Sequence, residues 1–278
     1  LNDYIAALLQ GIVEGLTEFL PVSSTAHIIL TQELLGIDRT LPFWKMFAVV
    51  IQLGAILSVI AFFRARLATF LVSFQASLKT DWKVSYRHPL SLVLVSFVVT
   101  AIPCFLIDEI IGENLESLWV IAIALVVGGI AMVVIDRMYS DHAKTERLEE
   151  MSLRQAIAIG FFQILAAAFP GTSRSMATIA GGQIFGLSRS AALEFSFFLA
   201  IPVMFAASGF KLLKHLATEP MPSGGEWTSL AIGFLTSFFV AYGVIAWFMQ
   251  WVRSRGFVPF AVYRVIAGIG LLLWLWLR

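Results

Sequence analysis

Glu14 and Glu18 stand four residues apart, and the run Pro21-Val22-Ser23-Ser24-Thr25-Ala26-His27 follows at once. Four-residue spacing places both carboxylates on one face of a helix. Two carboxylates on one face suit a divalent cation. Magnesium comes first and calcium second, because magnesium takes one or two carboxylates and completes its shell with phosphate oxygens and waters. Pro21 suits the start of a new helix, where its missing N–H costs nothing. The first turn of that helix has unpaired N–H groups and the positive end of the dipole, which together attract phosphate. Ser23, Ser24 and Thr25 add hydroxyls there. Ser24 and His27 are three apart, hence on one face, and a histidine can activate a serine or protonate a leaving group. The plainer alternative makes Ser23 a helix cap, His27 a packed polar residue and the glutamates interfacial.

A second run, Pro170-Gly171-Thr172-Ser173-Arg174-Ser175-Met176-Ala177-Thr178, has the same construction of a turn and then a helix start rich in hydroxyls. Arg174 adds a permanent charge and a planar fork that can hold phosphate through two bonds. A cation at a helix N-terminus opposes the dipole, and an anion between them resolves the conflict. Ser173 and Ser175 flank it. The alternative is that Arg174 snorkels to the membrane interface.

The elements that must position these groups lie in lipid. The chain has 278 residues, 59% hydrophobic and 13% charged, against about 25% charged in a soluble domain. The net charge of +1 gives no basic field for nucleic acid. The single cysteine, Cys104, allows no internal disulfide and no thiolate cluster. The N-terminal stretch lacks the basic and small-residue features of a signal peptide, so targeting is expected to reside in the membrane segments. Six stretches meet the requirement of roughly 20 apolar residues for a span. They are approximately Trp44–Phe63, Pro89–Ile107, Leu118–Ile135, Ala191–Phe210, Leu230–Trp251 and Val258–Leu277. Tyr4–Leu35 and Leu153–Phe185 are apolar but broken at Pro21 and Pro170. Proline pushes the preceding residues, Leu20 and Phe169, away from helical geometry. The economical reading is two re-entrant hairpins of half-helices, with kinked full spans as the alternative.

Setting Pro21 over Pro170 aligns Gly11 with Gly160, Glu14 with Gln163 and Ser24 with Ser173. Each half is then one hairpin and three spans. The expected fold is an all-α polytopic membrane protein: six transmembrane helices plus two re-entrant hairpins in an inverted-topology repeat. It forms a single membrane domain over 1–278, with repeat one at about 1–137 and repeat two at about 151–278. The Arg64–Arg87 and Arg137–Arg154 loops are basic, as are Arg253 and Arg255, while Asp108–Ser117 carries only acidic charges. The positive-inside rule puts the basic loops in the cytoplasm and both termini outside. Arg264, Glu194 and Lys45 read as snorkelling or paired. Gln52 either faces the site or bridges helices. Trp44, Trp119 and Trp251 read as interfacial belts. His88, His142 and His215 are given no chemistry.

Two helix starts, an arginine, two glutamates, hydroxyls and a histidine ask for a charged anion, a bridging metal and bond cleavage. That set describes phosphoryl transfer or hydrolysis. Burial in a membrane asks for an amphiphile with a phosphorylated head. The stretch Glu14-Gly15-Leu16-Thr17-Glu18-Phe19-Leu20-Pro21-Val22-Ser23-Ser24-Thr25-Ala26-His27 resembles the acidic motif of the bacterial undecaprenyl-diphosphate phosphatase (bacitracin resistance) family. Pro170-Gly171-Thr172-Ser173-Arg174-Ser175 is similar to its second motif. Gln52-Leu53-Gly54 and Phe195–Pro202 match its intervening pattern. Ala26 and Met176 stand where that family usually has glycine.

The resemblance implies hydrolysis of undecaprenyl diphosphate to undecaprenyl phosphate, recycling the carrier lipid for cell-wall synthesis in the bacterial plasma membrane. It implies an active site open to the outer face, a divalent metal and a homodimer. By position, Glu14 and Glu18 serve the metal or acid–base chemistry, and Ser24 is the favoured nucleophile with His27 assisting. A metal-bound water is the alternative nucleophile. Ser23, Thr25, Ser173, Arg174 and Ser175 hold the diphosphate. The rival functions are a transporter or flippase for a phosphorylated lipid, since broken helices in inverted repeats also build transporters, and a structural membrane protein.

Overall fold

The computed structural model describes residues 2–80, 85–111 and 117–277. All its long elements are helices: α1 Asp3–Thr17, α2 Ser24–Leu35, α3 Pro42–Phe62, α4 Arg64–Thr80, α5 Pro89–Ile111, α6 Leu118–Tyr139, α7 Leu153–Ala168, α8 Arg174–Ile184, α9 Arg189–Thr218, α10 Gly224–Arg255 and α11 Val258–Leu277. Six of them, α3, α5, α6, α9, α10 and α11, contain stretches long and apolar enough to cross a membrane, where the sequence places its six spans. The four helices α1, α2, α7 and α8 flank the two proline breaks and have 15, 12, 16 and 11 residues. At 1.5 Å per residue the longest is about 24 Å, shorter than a bilayer core of about 30 Å.

The stretch from Arg64, read from sequence as a loop, begins instead with helix α4. No glycine or proline interrupts residues 64–80, and Leu, Ala, Phe and Gln sustain the helix. Arg66 on this helix pairs with Glu149 at 2.8 Å and with Glu194 at 3.0 Å. Glu194 is thus paired. Lys83 and the acidic residues Glu113 and Glu116 lie outside the described residues, as do the side chains of Asp108 and Glu109.

The chain divides into two compact units, each drawing on both halves of the sequence. One contains residues 1–19, 24–62 and 200–248. Its core includes Ala6, Ala7, Ile28, Trp44, Phe47, Ile51 and Leu230. Trp44 is therefore a core residue and not part of an interfacial belt; Phe43 and Phe47 pack their rings against it. Helix α1 meets α10 at Gly11, where a β-carbon would lie 2.7 Å from the Gly233 carbonyl oxygen. Ser237 of α10 donates to the Ile51 carbonyl of α3 at 2.7 Å. Gln52 bridges helices, accepting from Ser208 at 3.4 Å.

The other unit contains residues 20–23, 63–199 and 249–278. Here α7 packs on α5, and α6 packs along α11. A β-carbon at Gly160 would lie 2.8 Å from the Ser96 carbonyl oxygen. Ser96 and Thr100 of α5 donate to the Ala156 and Gly160 carbonyls of α7 at 2.6 and 2.9 Å. Lipid offers little hydrophobic drive between helices, so small residues and interhelical hydrogen bonds of this kind hold them together. Asp136 fastens one end of the unit. Its buried carboxylate accepts from Arg189 Nε and Nη2, at 2.7 and 2.9 Å, and from Gln183 at 3.0 Å.

Candidate active site

In the first unit, α1 delivers the acidic pair. Glu18 is the residue after the last full turn, yet it keeps helical angles (φ −63°, ψ −42°), and its N–H donates to the Glu14 carbonyl at 2.9 Å. Glu14 and Glu18 therefore share one face, as their spacing predicts. Both are buried, 1% and 8% exposed. The chain turns at Phe19 and restarts as α2 at Ser24. Across that turn the Ser24 hydroxyl donates to Glu18 Oε2 at 2.5 Å. This lies in the range of a charge-assisted O–H···O⁻ bond. Sequence spacing pairs Ser24 with His27; the structure adds Glu18 as the acceptor of the serine proton. A six-residue separation across a turn carries no periodic signal, so only folding brings the pair together. His27 is half-buried and Thr25 is exposed.

No cluster of three or more metal-ligating side chains occurs among the described residues. A magnesium ion does not require one. Two buried carboxylates on one helical face, with substrate oxygens and waters completing the shell, fit its chemistry.

In the second unit, the turn after α7 leads to α8. Ser173 caps α8, its hydroxyl accepting the Met176 N–H at 3.3 Å. It also lies 3.1 Å from the Ser175 hydroxyl. Arg174 is the first residue of α8, and its guanidinium donates to the Ser196 carbonyl of α9 at 3.1 Å. Thr178 and Ser196 hydroxyls pair at 2.7 Å beside it. Arg174 is therefore tied to its neighbouring helix through a side chain that is neither wholly buried nor extended into the open.

Residues 20–23, the turn before Ser24, belong to this same unit. Ser175 donates to the Leu20 carbonyl at 2.9 Å, which joins the two proline turns directly. With its proton on Leu20, the Ser175 hydroxyl in this arrangement offers a phosphate only its lone pairs. The turns also share a backbone form. Ser23 and Ser173 both have φ of +73°, and they alone among the described non-glycine residues have positive φ. Such a residue is uncommon and strained, and strain of this kind clusters at functional sites. By backbone angle it is Ser23, and not Ser24, that matches Ser173. Ser24 and Arg174 each follow as the first residue of a helix.

A family model described as Bacitracin resistance protein BacA matches residues 7–270. The chain belongs to this family. Among curated relatives, the undecaprenyl-diphosphatase of Koribacter versatilis is 52% identical, covering 99% of this chain and 99% of its own. The undecaprenyl-diphosphatase of Caldanaerobacter subterraneus subsp. tengcongensis is 41% identical over 95% of this chain and 93% of its own. The undecaprenyl-diphosphatase 2 of Paramagnetospirillum magneticum is 43% identical over 95% and 96%. The match takes in both proline turns and every candidate residue.

One group near these turns is missed by sequence reasoning. Arg264 reads as a snorkelling residue near a helix end, but it is wholly buried, with 0% exposure. Its guanidinium donates to three backbone carbonyls, those of Pro21, Ala124 and Gly171. Its position carries no clear signal: six residues into α11 is about 9 Å along the helix, a depth from which an arginine can also snorkel.

Proposed function

We propose that this protein hydrolyses undecaprenyl diphosphate to undecaprenyl phosphate and inorganic phosphate, acting in the bacterial plasma membrane and returning carrier lipid to cell-wall synthesis. Full-length similarity to undecaprenyl-diphosphatases carries the substrate and the reaction. The bond between Ser24 and Glu18 carries the mechanism.

Glu18 takes the proton of Ser24 as its oxygen attacks the terminal phosphorus. The bond from that phosphorus to the bridging oxygen breaks, and undecaprenyl phosphate leaves with His27 assisting departure. Water then displaces the serine oxygen, which recovers a proton from Glu18, and phosphate is released. Ser23, Thr25, Ser173 and Arg174 hold the diphosphate, with Arg174 supplying the permanent charge, and Ser175 joins them by turning its proton from the Leu20 carbonyl to the phosphate. Glu14, with Glu18, would hold a divalent cation, magnesium or calcium. When bound, such an ion neutralises charge on the phosphate oxygens.

The helices flanking each break support re-entrant hairpins, because none is long enough to span. Exchange of contacts supports the inverted repeat within a single membrane domain. Gly11 of the first half packs on α10, and Gly160 of the second half packs on α5; these are corresponding helices in the two repeats. The basic loops support a cytoplasmic location for the connections after α3 and α6, with termini and site toward the outer face. A homodimer completes the proposal.

The test uses purified full-length protein, undecaprenyl diphosphate and magnesium. Phosphate release by the wild type supports hydrolysis, and no release refutes it in favour of lipid transport without chemistry. With substrate labelled in the terminal phosphate, acid quenching should trap label on Ser24. Label-free protein during rapid turnover would exclude the serine as nucleophile.

A further inference from the structure

Arg264 is a wholly buried cation held by neutral groups. Nη1 donates to the Pro21 carbonyl at 3.1 Å, and Nη2 donates to the Gly171 and Ala124 carbonyls, each at 3.0 Å. The Nε hydrogen is buried with no partner. Every partner of the guanidinium among the described residues is a backbone carbonyl, and none is a carboxylate. A buried charge is costly, and neutral carbonyls offset that cost less fully than a carboxylate would. An unpartnered buried N–H adds a further penalty.

Its partners identify its task. Pro21 and Gly171 each lie two residues before a serine at φ +73°. One planar fork therefore grips corresponding carbonyls of both turns, and the third carbonyl anchors it to α6. The guanidinium fixes its donors in a rigid plane, which a lysine ammonium cannot reproduce. Three residues beyond Pro21 the chain reaches Ser24, and three beyond Gly171 it reaches Arg174. Misplacement of a reacting group by about 1 Å can cost on the order of 100-fold in rate.

We propose that Arg264 is a positioning residue for the phosphatase reaction, clamping the two proline turns that immediately precede Ser24 and Arg174. This rests on the hydrolase reading above. Arg264 acts through the turns and does not itself touch the substrate.

The test measures kcat, KM and melting temperature for full-length wild type, Arg264→Met, Arg264→Lys and Gly128→Ala, with undecaprenyl diphosphate and magnesium. A methyl group at Gly128 would collide with the Arg264 guanidinium and push it off its carbonyls while keeping the cation. Gly270→Ala, on the same helix as Arg264 but facing open space, serves as control. The expected result is that Arg264→Met melts below the wild-type temperature, because three buried carbonyls lose their donor. Its kcat per folded molecule falls about 100-fold with KM within about threefold. Arg264→Lys should recover less than a tenth of wild-type kcat, and Gly128→Ala should lose about tenfold.

A kcat per folded molecule within threefold of wild type in Arg264→Met overturns the inference. So does activity that falls only in step with the folded fraction. Should both Arg264 variants fail to fold, Gly128→Ala decides: normal melting with reduced kcat supports the clamp, and unchanged kcat refutes it. Failure of all three to fold shows a purely structural role. Wild type that releases no phosphate refutes the hydrolase reading instead.

Discussion

Replacing Glu18 with glutamine tests the core of the mechanism, because the change keeps the shape of the side chain and removes its basicity. In the native protein the Ser24 hydroxyl donates to Glu18 Oε2 at 2.5 Å, and both residues are buried, each 8% exposed. A glutamine oxygen can still accept that hydrogen bond, so the turn at residues 19–23 keeps its main side-chain tie. The amide cannot take the proton. General-base assistance is typically worth 10²- to 10⁴-fold, or about 2.7 to 5.4 kcal/mol of barrier. Glu18→Gln should therefore lower kcat for undecaprenyl diphosphate by about that factor with a melting temperature near wild type.

The sharper measurement is a double-mutant cycle with Ser24→Ala. A nucleophile and its base act as one unit, so once either is gone the other has nothing left to contribute. The double variant should be no slower than the slower single variant, within about threefold. Fully additive losses would mean that Glu18 and Ser24 serve separate steps. The reasoning also fails if Glu18→Gln retains wild-type kcat, since the short bond would then be only a structural tie.

Chelation by EDTA should abolish phosphate release, with magnesium restoring it and Glu14→Gln raising the magnesium concentration needed; full activity in EDTA would remove the metal from the proposal. Gly160→Val drives a side chain into the Ser96 carbonyl and Val99, whose atoms lie 2.8 and 2.9 Å from the β-carbon position. Overpacking of that kind costs about 1–3 kcal/mol. Thermal melting should show the loss while kcat per folded molecule stays the same. His88 gives a pH signature. Burial holds its pKa below the ordinary 6.5, with Glu149 opposing. Its Nδ1 accepts the Leu90 N–H at 3.2 Å, a bond open only to an unprotonated Nδ1. The unfolded chain then binds the proton more readily than the folded one. The stabilisation is complete above about pH 6.5 and is lost as pH falls through the lower folded value. Melting temperature should drop on acidification from pH 7 to 5, and His88→Ala should flatten that slope; an unchanged slope would assign it to other groups.

The six spans and the two breaks were legible because membrane helices announce themselves by length and apolarity, and proline by its geometry. The pairing of Glu14 with Glu18 was legible because helical periodicity extends to residue 18. Contacts made across turns were not. Ser24 finds Glu18 and Ser175 finds Leu20 through folding at separations of 6 and 155 residues, for which a single sequence has no period. Arg264 was misread for a related reason. Hydropathy places a cation in the membrane but does not distinguish a snorkelling side chain from one that three carbonyls hold. Trp44 shows the same limit, since a tryptophan at a helix start suits both an interface and a core.

The two proline turns repay comparison at one position. Each has a serine at φ +73°, then a helix whose first residue is Ser24 in one case and Arg174 in the other. Side chains at that position project from the same point of a helix start, where N–H groups and the dipole favour an anion. In the first turn the residue is a hydroxyl that donates to a carboxylate. In the second it is a fixed cation with no proton to give at neutral pH. A lone helix start of either kind binds phosphate. Breaking a phosphoanhydride requires a nucleophile and charge neutralisation together, and in the proposed mechanism Ser24 supplies the first and Arg174 the second. The preceding carbonyls, Pro21 and Gly171, both accept from Arg264. On the proposed reading, two turns held by one guanidinium differ at the first helical residue, and that difference is what makes the pair a hydrolase and not simply two anion-binding helix starts.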